Sequence, residues 1–169
     1  HSTSVESLYA HFPGLKVVTY ATADDAYGLL KTAIRDNNPT IFLESELTYG
    51  QKGEVPDEEY AIPFGKARVR TTGSDLTIIT WGKQVFACEE AVAQLEAKGH
   101  SVELIDLRSL RPLDHDTIFN SVVKTGRCLV THEGHLFAGV GAEIVARVQQ
   151  ACFNPVSYTH LRAHETLPY

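Results

Sequence analysis

Apolar and polar positions along the chain alternate in two β/α series separated by a polar loop. Leu15 to Val18 is a short β-prone run, and Thr22-Ala-Asp-Asp25 after it forms a capping-box-like helix start, with Asp where Glu or Gln is usual. The helix predicted from that point carries Ala26, Leu29, Leu30, Ala33 and Ile34 on one face, and Asn37-Asn38-Pro39 stops it. Thr40 to Glu44 (TIFLE) reads as a buried strand, and the polar stretch from Ser45 to about Tyr60, with Gly50, Gly53 and Pro56, reads as a loop. Residues 58–71 form a linker whose last part, Lys66 to Thr71, is a lead-in strand. The second series then follows. Asp75 to Gly82 (DLTIITWG) is a strand, Gln84 to Lys98 a helix ended by Gly99, and Ser101 to Leu107 (SVELIDL) the next strand. Asp114 caps a helix running to about Lys124, Arg127 to Glu133 (RCLVTHE) is a strand, and Val140 to Phe153 is a last helix with Ile144, Val145 and Val148 facing inward. Strands alternating with helices of this length predict an α/β fold of three-layer domains built on parallel sheets.

Composition narrows the function classes. The chain has 169 residues, 43% hydrophobic and 21% charged, which fits a folded α/β protein and argues against disorder. Net charge is −6 with interspersed signs, so neither nucleic acid nor an anionic membrane is an expected partner, and no apolar run is long enough to span a bilayer. Cys88, Cys128 and Cys152 are dispersed in apolar settings, which predicts buried free thiols in place of a disulfide or zinc framework. There is no methionine and the chain opens on His1, so an N-terminal cut is expected. At the other end, Pro155 to Thr166 reads PVSYTHLRAHET, which resembles the in-frame translation of a transposon adapter used in sequencing libraries. Residues 155–169 are therefore set aside as an adapter-like artefactual tail.

Several local patterns could carry chemistry but have plainer readings. Gly139-Val-Gly141 before a helix resembles part of a dinucleotide loop, yet the sixth position is Ile144, and a tight strand-to-helix turn explains it better. His132-Glu-Gly-His135 has its histidines three apart at a strand end, which is not the helical HExxH spacing of a zinc site. Arg108, Arg111 and Asp114 read as a loop ion-pair network, and Asp57-Glu58-Glu59 as a solvated acidic turn.

Longer blocks carry a family resemblance. HSTSVESLYAHFPGLKVV, GLLKTAIRDNNPTIFLESELTYGQKGEVP, IPFGKA, VELIDLRSLRPLDHDTI and VVKTGRCLVTHEGHLFAGVGAEI resemble successive blocks of the beta subunits of thiamine-diphosphate-dependent 2-oxo acid dehydrogenases. The resemblance covers residues 1–154. LESELTYG and HLFAGVGAEI look closer to the pyruvate enzymes than to those acting on branched-chain oxo acids or acetoin. It implies a transketolase-like arrangement, with residues 1–57 the C-terminal part of a pyrimidine-binding domain and 72–154 a truncated transketolase C-terminal domain. An incomplete pyrimidine domain is expected to leave sheet edges and apolar helix faces uncovered.

The implied assembly pairs two alpha and two beta subunits and hands acyl groups to a lipoyl acyltransferase. Thiamine diphosphate would lie between the subunits, with magnesium held by the alpha subunit and the cofactor-activating glutamate upstream of His1, so the chain alone is expected to be inactive. His1 falls on a histidine that faces the cofactor and serves acyl transfer, a role suited to a group titrating near neutrality. Ala33, Ile34, Asp36 and Asn38 fall where related subunits bind a structural potassium ion. A helix C-terminus has free carbonyl oxygens there, and Asp36 and Asn38 add side-chain oxygens. The implied location is the bacterial cytoplasm, or the mitochondrial matrix in a eukaryote. A scaffold or docking role without catalysis is the rival reading.

Overall fold

The computed structural model describes residues 4–152. Five helices and seven strands follow in the order α1 (Glu6–His11), β1 (Lys16–Thr19), α2 (Ala23–Arg35), β2 (Thr40–Leu43), β3 (Arg68–Thr71), β4 (Leu76–Thr80), α3 (Gln84–Glu96), β5 (Val102–Asp106), β6 (Ser109–Arg111), α4 (His115–Thr125), β7 (Cys128–Val130) and α5 (Val140–Cys152). One 3₁₀ turn, Glu46–Thr48, interrupts the polar loop after β2.

The strands form a three-stranded sheet in the order β2-β1-β6 and a four-stranded sheet in the order β3-β5-β4-β7. β1 pairs parallel with β2, and β4 pairs parallel with β5 and β7, as the β/α alternation predicts. β3 and β6 do not follow that rule. β3 runs antiparallel to β5 because it enters from the linker and not through a crossover helix. β6 follows β5 after a two-residue reversal at Leu107 and Arg108, and runs antiparallel to β1 in the other sheet. Arg108 takes φ 55 in that reversal, the left-handed region an L residue enters only at a cost.

Alternation along the four-stranded sheet builds three layers. Ile79, Ile105 and Val130 face α4 and α5, packing with Ile118, Val122, Ile144 and Val148. Ile78, Val102 and Leu104 face the other way, against Cys88 and Val92 of α3. Val17 of β1 joins the first of these clusters through Leu110, so the two sheets share apolar packing. α4 starts where Asp114 accepts hydrogen bonds from the Thr117 amide (3.2 Å) and hydroxyl (2.8 Å), and ends at Gly126 with φ 68.

α2 departs from the face read off the sequence. Leu29 is fully buried, and Asp25 and Gly28 are buried with it, but Leu30 is 46% and Ile34 75% exposed. Its buried side is set by where Tyr60 and Ile62 cross Gly28, and a Cβ there would lie 2.6 Å from the Ile62 side chain. Among the described residues, nothing covers the Leu30–Ile34 side. β2 is half-buried along its whole length rather than buried, as a sheet edge.

Candidate functional site

β4, β5 and β7 end together, and each is followed or closed by a polar or aromatic group. In open α/β sheets this carboxyl end is where ligands and chemistry gather. Trp81 follows β4 and His132 follows β7, and their rings stack with centroids 4.8 Å apart and planes 14° from parallel. His132 is buried, its Nδ1 accepts the Gly134 amide at 3.0 Å, and burial alone pushes its pKa below the usual imidazole range. The proton of the neutral ring therefore belongs on Nε2, which faces Gly141: a Cβ there would lie only 2.4 Å from that nitrogen. The Gly139-Val-Gly141 glycines thus serve close packing, since a Cβ at Gly139 would meet the His135 carbonyl oxygen at 2.3 Å. Neighbouring Glu133 pairs with Lys83 at 2.6 Å, while His135 is exposed. No group of three or more His, Cys, Asp or Glu able to hold a metal occurs among the described residues.

A second cluster joins α2 to the four-stranded sheet. Arg108 Nη1 donates to Asp25 Oδ1 at 2.9 Å, and the same guanidinium donates to the Lys66 and Ala67 carbonyls at 2.8 and 3.2 Å through Nη2. Arg68 Nη1 bridges Asp24 at 2.7 Å and Asp25 at 3.3 Å. The Thr22 hydroxyl donates to Asp25 at 3.2 Å, but Thr22 makes no side-chain cap to the helix amides. The capping-box pattern therefore serves a buried ion cluster. The expected Arg108–Arg111–Asp114 network does not form: Arg111 donates to the Ala10 carbonyl at 2.7 Å, and Asp114 accepts the Ala67 amide at 2.9 Å while capping α4. Glu59 of the acidic turn pairs with Lys31 and Arg35.

At the end of α2, Asp36 Oδ1 accepts both the Asn38 amide and its side-chain Nδ2 at 2.8 Å, and Oδ2 pairs with Lys16 Nζ. The Lys16 hydrogen bond, with those from Asn38, lowers the Asp36 pKa to about 2. Ala33 and Ile34 lie in the last turn, where helix carbonyls have no intrahelical donor left. His1 lies outside the described residues. α1 starts five residues later and lines a groove of about 780 Å³ with the β6–α4 connection and the start of α5. His11, Arg111 and His115 line that groove, and Arg147 there is paired with Glu143 at 2.6 Å. Cys88, Cys128 and Cys152 are all free; Cys88 and Cys152 are buried, and burial pushes the Cys128 thiol up to about 12.

Trp81 and Asp106 carry no site reading on the sequence, and His132 enters there only in a pattern that lacks zinc-site spacing. The signal available was positional: each ends or follows an apolar strand of the second series, in TWG, THE and LID.

Two mixed sheets that share apolar packing and are tied by an ion cluster define an α/β protein. Two family models match: the transketolase pyrimidine-binding domain over residues 1–52 and the transketolase C-terminal domain over residues 65–163. The chain belongs to the transketolase family. A solved structure, a split-gene transketolase as an inactive beta4 tetramer, has a TM-score of 0.77 at 23% identity, covering 96% of this chain and 52% of its own. Among curated relatives, the pyruvate dehydrogenase E1 component subunit beta of Rhizobium meliloti is 50% identical over 155 residues, which is 91% of this chain and 34% of the relative. The same subunit of Rickettsia felis is 46% identical, covering 91% of this chain and 47% of the relative. The mitochondrial 2-oxoisovalerate dehydrogenase subunit beta of Chaetomium thermophilum is 44% identical, covering 96% of this chain and 34% of the relative. The chain therefore spans between about a third and a half of the length of these relatives.

Proposed function

We propose that the chain is part of the beta subunit of a pyruvate dehydrogenase (acetyl-transferring) heterotetramer, acting with an alpha subunit, a second beta subunit and a lipoyl acyltransferase. The observation that carries this reading is the 50% identity to a pyruvate dehydrogenase beta subunit across both transketolase domains. Residues 1–57 would supply the end of the pyrimidine-binding domain, 58–71 the linker and 72–154 the C-terminal domain, although the family match to that domain continues to residue 163, into the segment 155–169 that resembles an adapter and lies outside the described residues. A branched-chain or acetoin enzyme is the alternative, supported by the 44% identity to the 2-oxoisovalerate subunit. The location would be the bacterial cytoplasm or the mitochondrial matrix. No helix among the described residues is long and apolar enough to cross a membrane.

Thiamine diphosphate, with magnesium on the alpha subunit, would supply decarboxylation of the 2-oxo acid. We assign none of the described residues of this chain to that cofactor. The chain's own contributions lie elsewhere. His1 would move a proton during acyl transfer to the lipoyl group, at the end of the segment that leads into α1. The α2 terminus would hold potassium through the Ala33 and Ile34 carbonyls and the Asp36 and Asn38 side chains. The fit is partial, because Lys16 already occupies one Asp36 oxygen and would have to turn aside or share it. The buried Arg108–Asp25 clamp would fix the two sheets relative to each other, which a site between subunits requires.

The test of the functional reading is substrate competition in the reconstituted assembly, with pyruvate, 2-oxoisovalerate and acetoin present together. Preferential consumption of pyruvate is expected; preference for either rival moves the assignment to the sister enzyme.

A further inference from the structure

The junction around Arg108 contains a carboxyl group that the clamp does not neutralise. Asp106 ends β5 with no solvent exposure. One of its oxygens accepts the Arg108 amide at 3.2 Å, while Oδ2 is buried without any hydrogen-bond partner. The strand register sets Thr80 of β4 on one side of it and Arg68 of β3 on the other. Thr80 brings a buried hydroxyl that is itself unpartnered.

The charged groups of the packed elements have other commitments. Arg68 turns to Asp24 and Asp25 of α2. Arg70 of β3 is held by Glu89 of α3 through two hydrogen bonds of 2.8 and 2.6 Å. The Arg108 guanidinium is spent on Asp25 and on the Lys66 and Ala67 carbonyls. Asp106 therefore faces the negative Asp25 across the cluster, with every nearby guanidinium bonded to another group. An ionised carboxylate without a partner in such a place is costly, and the usual outcome is that it keeps its proton.

We propose that Asp106 is a proton-bearing acid in the folded chain, so that folding takes up a proton from mildly acid to neutral solution. Desolvation first, and the Asp25 charge second, raise its pKa to about 7, against the opposing Arg108 and Arg70. The sign follows from linkage. Between the ordinary carboxylate range and neutrality the folded state holds a proton that the unfolded chain has lost, so stability falls as pH rises through that window and levels off above it.

Thermal melting of the full chain and of D106N, which is neutral at every pH, separates this from a merely structural aspartate. The Tm advantage of D106N should widen by about 3 °C per pH unit between pH 5 and 7, then stop widening. A difference that stays constant from pH 5 to 9 overturns the proposal. Should D106N not fold, ¹³C-carboxyl NMR of the wild-type aspartates decides: one with a midpoint near neutrality supports the proposal, and midpoints all below about 5 refute it.

Discussion

Gly141→Ala tests the packing of the carboxyl-end site most sharply, because helix propensity and tertiary geometry oppose each other there. Gly141 is the second residue of α5, and in an exposed helix the change would add up to about 1 kcal/mol of stability. In this fold the new Cβ would lie 2.4 Å from His132 Nε2 and 2.7 Å from its Cδ2, so the imidazole must move. The ring cannot move freely, since it stacks on Trp81 at 4.8 Å and its Nδ1 accepts the Gly134 amide. Overpacking costs about 1–3 kcal/mol and a lost aromatic contact about 0.5–1.5 kcal/mol, which leaves a net loss of about 2 kcal/mol after the propensity gain. Trp81 is the one tryptophan in the chain, so its emission reports both the ring contact and global unfolding. With a urea m-value of about 2 kcal/mol/M, the midpoint should fall by about 1 M, with altered native-state emission. Removing the ring should relieve the clash, so the double mutant G141A/H132A should lose less than the sum of the two single mutants. If G141A is as stable as wild type with unchanged emission, or if the two changes simply add, the His132 placement is wrong.

Other consequences are independent of that site. Arg108→Met leaves Asp25 buried without its main partner, and chemical denaturation should show a loss of about 3–5 kcal/mol. His132→Phe should flatten the acid side of the stability profile. Burial lowers the His132 pKa, so the wild type loses stability as pH falls below the ordinary imidazole value, and the variant lacks that loss. Asp36 should contribute stability above the ordinary carboxylate range that is lost as pH falls toward about 2, and D36N should abolish that acid-side slope. If α2 ends in a potassium site, potassium but not sodium should raise the wild-type Tm, and D36N should remove the increment.

Most elements of the second series were legible because their signals are local. The LTIIT, VELID and CLV strands, the Gln84 helix and the Asp114-capped helix fall within a few residues of the sequence reading. What the sequence hid depends on the partner surface. Leu30 and Ile34 fit the helical period of α2, yet Tyr60 and Ile62 arrive over Gly28 and turn a different side inward. β6 is three residues long, and its pairing with β1 depends on a distant strand. α1 has no side-chain N-cap bond and spans six residues, too short for a periodic signal. The ion cluster was half visible: Asp24, Asp25, Arg68 and Arg108 are plain in the sequence, but their meeting requires the reversal at Arg108. His1, the one candidate catalytic residue, lies outside the described residues, and Asp36 and Asn38 meet as one carboxylate and one amide bonded to each other, with Lys16 on the second carboxylate oxygen.

Assembling the full reading frame with an alpha subunit and measuring pyruvate-dependent acetylation of a lipoyl domain decides whether the chain comes from the beta subunit of a pyruvate dehydrogenase. Acetylation is expected only when both subunits and thiamine diphosphate are present, with kcat/KM for pyruvate above that for 2-oxoisovalerate. An assembly that binds no thiamine diphosphate, or one that favours 2-oxoisovalerate, contradicts that assignment.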